Sequence, residues 1–208
     1  MKVTSFIEIA NPWSYIAAVR LERAMGIFTI TTGVVPEVKY RAFYPQRRPD
    51  VGLPLANADF DLDVESLVVA ARKSGIEINI EDGVIADSLP ALRLMLWVEM
   101  QYGQEVQKLL IDELWRAAFL EGADISDEFV LATRAGMVGL DIEITESFLS
   151  SADFTDEVNL QTAAAVAIGF EKPPLAVINE KWAIAGLQTQ DFYFQSLIDI
   201  YQGESDQN

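Results

Sequence analysis

The residues best able to do chemistry stand together at Asn11-Pro12-Trp13-Ser14-Tyr15. Asn11 brings an amide that both donates and accepts, and Ser14 brings a hydroxyl within one helical turn of it. Such a pair can hydrogen-bond an anion or a carbonyl oxygen. It cannot exchange disulfides: none of the 208 residues is Cys, which removes thiolate nucleophiles, disulfides and zinc–sulfur sites. None is His, which removes the commonest metal ligand and every His-dependent dyad or triad. Asp59, Asp61, Asp63 and Glu65 are spaced like the start of a calcium loop, but Val64 stands where that loop needs Gly and Ala70 where it needs Glu. The run reads instead as the acidic entry to a helix capped by Asp63 or Asp61, and no metal site is expected. Arg41, Arg47, Arg48 and Arg93 are the cations suited to an acidic ligand, although their ordinary role here is surface ion pairing.

The corner is held by a strand that runs straight into a helix. Val3, Ser5, Ile7 and Ile9 alternate with Thr4, Phe6 and Glu8, a short run that suits a buried strand. Asn11 is a good N-cap, and Pro12 sits where a missing N–H is no loss. Ile16, Val19, Leu21 and Ala24 supply the helix with an inward face. Its positive end then lies at the carboxyl edge of the strand, where α/β proteins tend to bind ligands. A plain helix start, with Trp13 and Tyr15 packed on neighbours, accounts for the same residues.

Downstream, Gly26 and Gly33 bracket Ile27 to Thr32, a β-rich run that reads either as a short strand or as the end of the helix. Val38 to Tyr44 alternates as a strand, and Pro45, Pro49, Gly52 and Pro54 mark a long loop. A helix through Leu67 to Ser74 ends at Gly75. From Asp87 to about Phe170 the pattern is helical. Asp87 or Ser88 caps a helix to Gly103, and a second spans Glu105 to Leu120 with Val106, Leu109, Leu110, Leu114 and Phe119 inward. Ser126 starts a third, Thr145 to Leu149 is short, and a longer one runs through Val158, Ala163, Val166 and Ile168. The end returns to α/β: a strand from Pro174 to Ile178, a tight turn at Asn179-Glu180, a strand from Lys181 to Ala185, and a helix capped by Thr189. Trp97, Trp115 and Trp182 are expected in the core.

Composition is that of a soluble domain, with half the residues hydrophobic. With 32 acidic against 15 basic residues, the net charge of −17 repels phosphate backbones and anionic lipid, so neither nucleic acid nor membrane is an expected partner. The apolar run before Glu8 is too short for a signal peptide, and no stretch reaches the ~20 apolar residues of a membrane span. A cytoplasmic location is the expectation.

The strand, the Pro12-Trp13-x-Tyr15 corner and the helix resemble the DsbA-like branch of the thioredoxin superfamily, in particular the FrnE-like oxidoreductases, whose corner reads Cys-Pro-Trp-Cys-Tyr. Leu114 to Asp127 resembles a FrnE-like segment almost residue for residue, while Ala91-Leu92-Arg93 stands where that family has Ala-His-Arg. The resemblance covers nearly the whole chain. It implies an α/β thioredoxin fold with a helical insertion, residues 1–54 and 171–208 forming the thioredoxin-fold domain and 55–170 the all-helical subdomain. It also implies a cis-proline facing the corner at Pro174, so that Pro12, Trp13, Tyr15, Pro174 and Leu175 line a ligand site with Asn11 and Ser14 at the two cysteine positions. More distantly, the corner is similar to the Ser-Pro-x-Ser of kappa-class glutathione transferases and hydroxychromene carboxylate isomerases, where the first Ser stabilises a glutathione thiolate. Those families bind glutathione through a Gly-Ser-Asp turn, and Gly186-Leu187-Gln188 stands there instead. Two functions follow as expectations. One is a cysteine-less homologue that keeps a groove for a peptide or small molecule. The other is a glutathione-dependent isomerase or transferase with Asn11 and Ser14 at the thiolate. Glutathione is the one cofactor this admits, and the apolar last helix suggests a homodimer.

Overall fold

The structure is a computed structural model that describes residues 1–45, 64–79, 81–83 and 85–205. β1 (Lys2–Ile7) leads through Asn11 into α1 (Pro12–Thr32), which crosses over to β2 (Glu37–Ala42). β1 and β2 are parallel, with Val3 opposite Val38 and Ile7 opposite Ala42. β3 (Leu175–Ile178) adds antiparallel to the other side of β1, and β4 (Trp182–Ala185) pairs back on it, for a sheet order β2-β1-β3-β4. Asn179 and Glu180 take φ of 49° and 57° between those strands, the left-handed pair that matches the twist of a two-residue hairpin. A last helix, α8 (Gln190–Ser205), lies against α1, where Leu21, Met25 and Phe28 meet Tyr193 and Leu197.

Between β2 and β3 come α2 (Val64–Lys73), α3 (Leu89–Tyr102), α4 (Gln104–Trp115) with a π-helical turn at Arg116–Leu120, α5 (Glu128–Met137), α6 (Ile142–Leu149) and α7 (Thr155–Ala167). Their core does not stand apart from the sheet. One apolar cluster runs from Leu131, Leu110 and Trp115 through Met95 and Leu92 to Ile7, Ile9 and Ala42 at the end of the strands. The helical insertion is thus packed onto the same strand end that carries the corner.

Several expectations are corrected here. Of the two readings of Ile27 to Thr32, the structure takes the end of the helix: the hydroxyls of Thr29, Thr31 and Thr32 bond back to the carbonyls of Met25, Ile27 and Phe28 at 2.8–2.9 Å, and Gly33 closes α1 at φ 75°. α5 is capped by Asp127 rather than started by Ser126. Leu109 faces outward, 55% exposed, since α4 buries only the stripe through Gln107, Leu110, Ile111 and Leu114. α7, placed where expected, buries its Val158, Gln161, Thr162 and Ala165 side and leaves Val166 and Ile168 exposed. Trp97 and Trp115 are buried, but Trp182 is 45% exposed on the edge strand β4, where Lys181 lies over its ring. The acidic run at Asp59 to Asp63, and Arg47 and Arg48, lie outside the described residues.

Candidate functional site at the start of α1

β1 ends in a tight turn, in which the Asn11 N–H donates to the Glu8 carbonyl at 3.1 Å. Asn11 takes an extended backbone and caps α1: its Oδ1 accepts the Trp13 N–H at 2.8 Å and the Ser14 N–H at 3.2 Å. The Ser14 and Tyr15 N–H groups also reach the Asn11 carbonyl, and Pro12 has none. The first backbone donors of the helix are therefore already used. What the cap leaves over is the Asn11 amide nitrogen, which makes no hydrogen bond to any described residue.

Ser14 is 0% exposed, and its hydroxyl accepts the Glu8 N–H at 3.3 Å. The two side chains at the positions of the family cysteines thus differ: Asn11 can touch a ligand, and Ser14 props the turn from beneath. The aromatic pair diverges. Trp13 packs against the cluster of Ile16, Leu67, Ala71 and Ile76 between α1 and α2, a cluster Tyr15 also borders. Tyr15 lies stacked on Phe119, with ring centroids 5.9 Å apart, and tilted against Trp115 at 5.2 Å. Burial and then Asp112 push the Tyr15 phenol up. Pro12 is buried under the cap.

Pro174 follows a cis peptide bond and is buried. Leu175 pairs with Phe6, so the register sets Pro174 opposite Ile7, beside the same turn. Its carbonyl accepts the Gly186 N–H at 2.8 Å, which ties down the turn through Leu187. The Leu175 side chain points away into a cluster with Phe6, Phe43 and Ala165.

Sequence reasoning passed over Glu8. It is 4% exposed; Oε1 accepts the Ala10 N–H at 3.0 Å, and Oε2 has no hydrogen-bond partner. Burial pushes its carboxyl up to about 7, although the Ser88 hydroxyl and the Ala10 N–H favour the charged form; the nearby Asp87 raises it further. A carboxylate set between Ile7 and Ile9 was the available signal. Arg20 was also missed. It donates to Ser74 Oγ and the Gln188 carbonyl at 2.8 Å and to the Ala70 carbonyl at 3.1 Å, clamping α2 and the turn before α8 onto α1.

The other cations stand elsewhere. Arg41 pairs with Glu99 at 3.0 Å on the wall of a depression of about 850 Å³ that also includes Phe154 and Glu157. A second, of about 540 Å³, lies along α7 beside Tyr44 and Pro45; neither is lined by Asn11, Trp13 or Pro174. Arg93 is not a surface ion-pair partner: it is 6% exposed and donates to the Asp153 and Ser151 carbonyls at 2.7 and 2.6 Å, replacing water at the loop between α6 and α7. Among the described residues no acidic cluster has the makings of a metal site, and no helix is long and apolar enough to cross a membrane.

The sequence profile of the DSBA-like thioredoxin domain matches residues 2–198. The chain belongs to this family. A probable DsbA oxidoreductase from Streptomyces coelicolor superposes on this DSBA-like protein with a TM-score of 0.84 at 24% identity, over 97% of this chain and 90% of that one. A 2-hydroxychromene-2-carboxylate isomerase superposes over 100% of both chains with a TM-score of 0.70 at 20% identity. The cytosolic disulfide reductase DsbM from Pseudomonas aeruginosa, solved with GSH, gives a TM-score of 0.69 at 15% identity over 97% of this chain and 100% of that one. At these identities the likeness is one of fold. No curated protein sequence matches the chain. Lacking Cys, this DSBA-like protein has no thiol of its own for disulfide exchange.

Proposed function

We propose that this DSBA-like protein binds a small molecule or an extended peptide at the corner, with the Asn11 amide nitrogen as side-chain donor to an electronegative ligand atom. The division of labour between Asn11 and Ser14 carries the reading. Asn11 keeps a free donor beside the positive end of α1, and Ser14 is enclosed with its hydroxyl committed. The site holds a polarising group and no nucleophile, so it binds and orients a ligand. Trp13 and Pro174, on either side of the turn, supply its walls.

A second reading makes the ligand the thiolate of glutathione and the protein an isomerase or transferase. Its support is the Asn11 donor itself, since an amide N–H can stabilise a thiolate, together with the end-to-end likeness to an isomerase and the GSH of the DsbM structure. The cytosolic DsbM also favours a cytoplasmic location.

Thermal unfolding with and without millimolar glutathione, its S-alkyl conjugates and a peptide panel tests both. A ligand specific for the folded state at about 100 times its Kd stabilises by ~2.7 kcal/mol. The decisive variant is Asn11→Asp, which keeps a capping oxygen and loses the amide donor. It is expected to unfold within about 0.5 kcal/mol of the parent and to lose the ligand shift. A shift that survives in Asn11→Asp would put the ligand elsewhere.

A further inference from the structure

We propose that Glu8 is a positioning residue of the corner that works in its protonated form, so that binding of an anion at Asn11 is coupled to retention of a proton on Glu8. The inference rests on the ligand reading above and specifies how that site responds to charge.

The geometry ties the two residues together. Glu8 gives its carbonyl to the Asn11 N–H at 3.1 Å and its N–H to Ser14 Oγ at 3.3 Å, and it folds its own carboxyl back to the Ala10 N–H at 3.0 Å. The carboxyl is therefore enclosed behind the turn whose outer residue is Asn11. Among the described residues it has no ion pair, and Oε2 makes no well-formed hydrogen bond, with the Ser88 hydroxyl the polar group beside the carboxyl. The charged group set against it is Asp87, at the start of α3; Asp87 Oδ1 accepts from the Tyr44 hydroxyl at 2.9 Å and the Leu89 N–H at 3.1 Å. From α1 the Ser14 hydroxyl accepts the Glu8 backbone N–H, and the Ser88 hydroxyl at the start of α3 lies beside the carboxyl itself. A protonated Oε2 can donate to the Ser88 oxygen beside it, which gives the atom a role. An ionised Glu8 instead places a negative charge behind Asn11, and the helix has no spare backbone N–H there to offset it.

An anion at the Asn11 amide and a charge on Glu8 therefore oppose one another across a buried turn. By linkage, each disfavours the other to the same degree. Anion affinity is expected to fall about five-fold or more between pH 6 and pH 8, and binding near neutral pH is expected to take up part of a proton.

The test is calorimetric titration of the intact protein with glutathione sulfonate, whose sulfonate stays charged across this range. It is run at pH 6 and pH 8, in two buffers of different ionisation enthalpy to count protons. Glu8→Gln is expected to bind with the pH 6 affinity of the parent at both pH values, with no proton uptake. A parent that binds without proton uptake, or a Glu8→Gln variant with the parent's pH dependence, overturns the coupling while leaving the ligand reading intact. No binding by either protein overturns the ligand reading, and the coupling with it.

Discussion

Replacing Glu8 with Gln should make the free protein more stable, and only above mildly acidic pH. Burial holds the Glu8 carboxyl at about 7 against 4.5 for the free group. At 1.36 kcal/mol for each pH unit of displacement, the ionised folded protein carries a cost of about 3 kcal/mol. The sign follows from who holds the proton. Below pH 4.5 both folded and unfolded chains are protonated at this site, and it contributes nothing. Between 4.5 and 7 only the folded chain keeps the proton, so stability falls as pH rises. Above 7 both are ionised and the full cost remains. Gln cannot ionise. It keeps a carbonyl for the Ala10 N–H and places an NH2 group where Oε2 stands beside Ser88 and Asp87. The gain should be about 0.8 kcal/mol at pH 5 and approach about 3 kcal/mol at pH 8, the latter roughly 6–12 °C in Tm for a chain of this size. Unfolding of both proteins followed by circular dichroism from pH 5 to 9 measures it, and the remaining carboxylates cancel in the difference. A difference that is flat across pH, or a parent more stable at pH 8, would refute the reasoning.

Two further substitutions probe how the surroundings of the site are held. Gly122→Ala should destabilise by more than about 2 kcal/mol, because at φ +69° a Cβ would stand 2.8 Å from the Asp82 carbonyl oxygen, and backbone cannot yield as a side chain does. A lowered urea midpoint with unchanged slope is the expected readout. Arg93→Met removes the guanidinium that lies 5.4 Å over the Phe148 ring and strips the Ser151 and Asp153 carbonyls of their donor; a loss of about 2–4 kcal/mol by thermal or urea unfolding is expected, and a neutral result would mean that water replaces the guanidinium.

Much of the fold can be read in the chain because its signals are local. Asn11 and Pro12 specify a helix start through bonds within four residues, and Asn179-Glu180 specifies a hairpin through backbone angles alone. The missing Cys rules out the family's own chemistry by atom type. The chain leaves readings open where a pattern fits two structures, and misleads where a partner is remote. Thr29 to Thr32 has the composition of a strand, yet its hydroxyls bond within the helix. Trp182 has the size of a core residue and sits on an uncovered edge.

The sequence by itself determined the helix start at Asn11-Pro12, the hairpin at Asn179-Glu180 and the loss of thiol chemistry, because capping, turn geometry and residue type depend on neighbours along the chain. Only the tertiary structure decided which corner residue is free to act. Ser14 and Asn11 look interchangeable as polar side chains in one turn of helix. Ser14 is enclosed by the fold and committed to Glu8, whereas Asn11 keeps its amide nitrogen. Glu8 is an ordinary acid in the sequence. It becomes a proton-holding one because Asp87 and Ser88, nearly eighty residues away, close over it with no cation among them, and burial in a low-dielectric interior penalises the charge by more than the Ser88 hydroxyl and the Ala10 N–H repay.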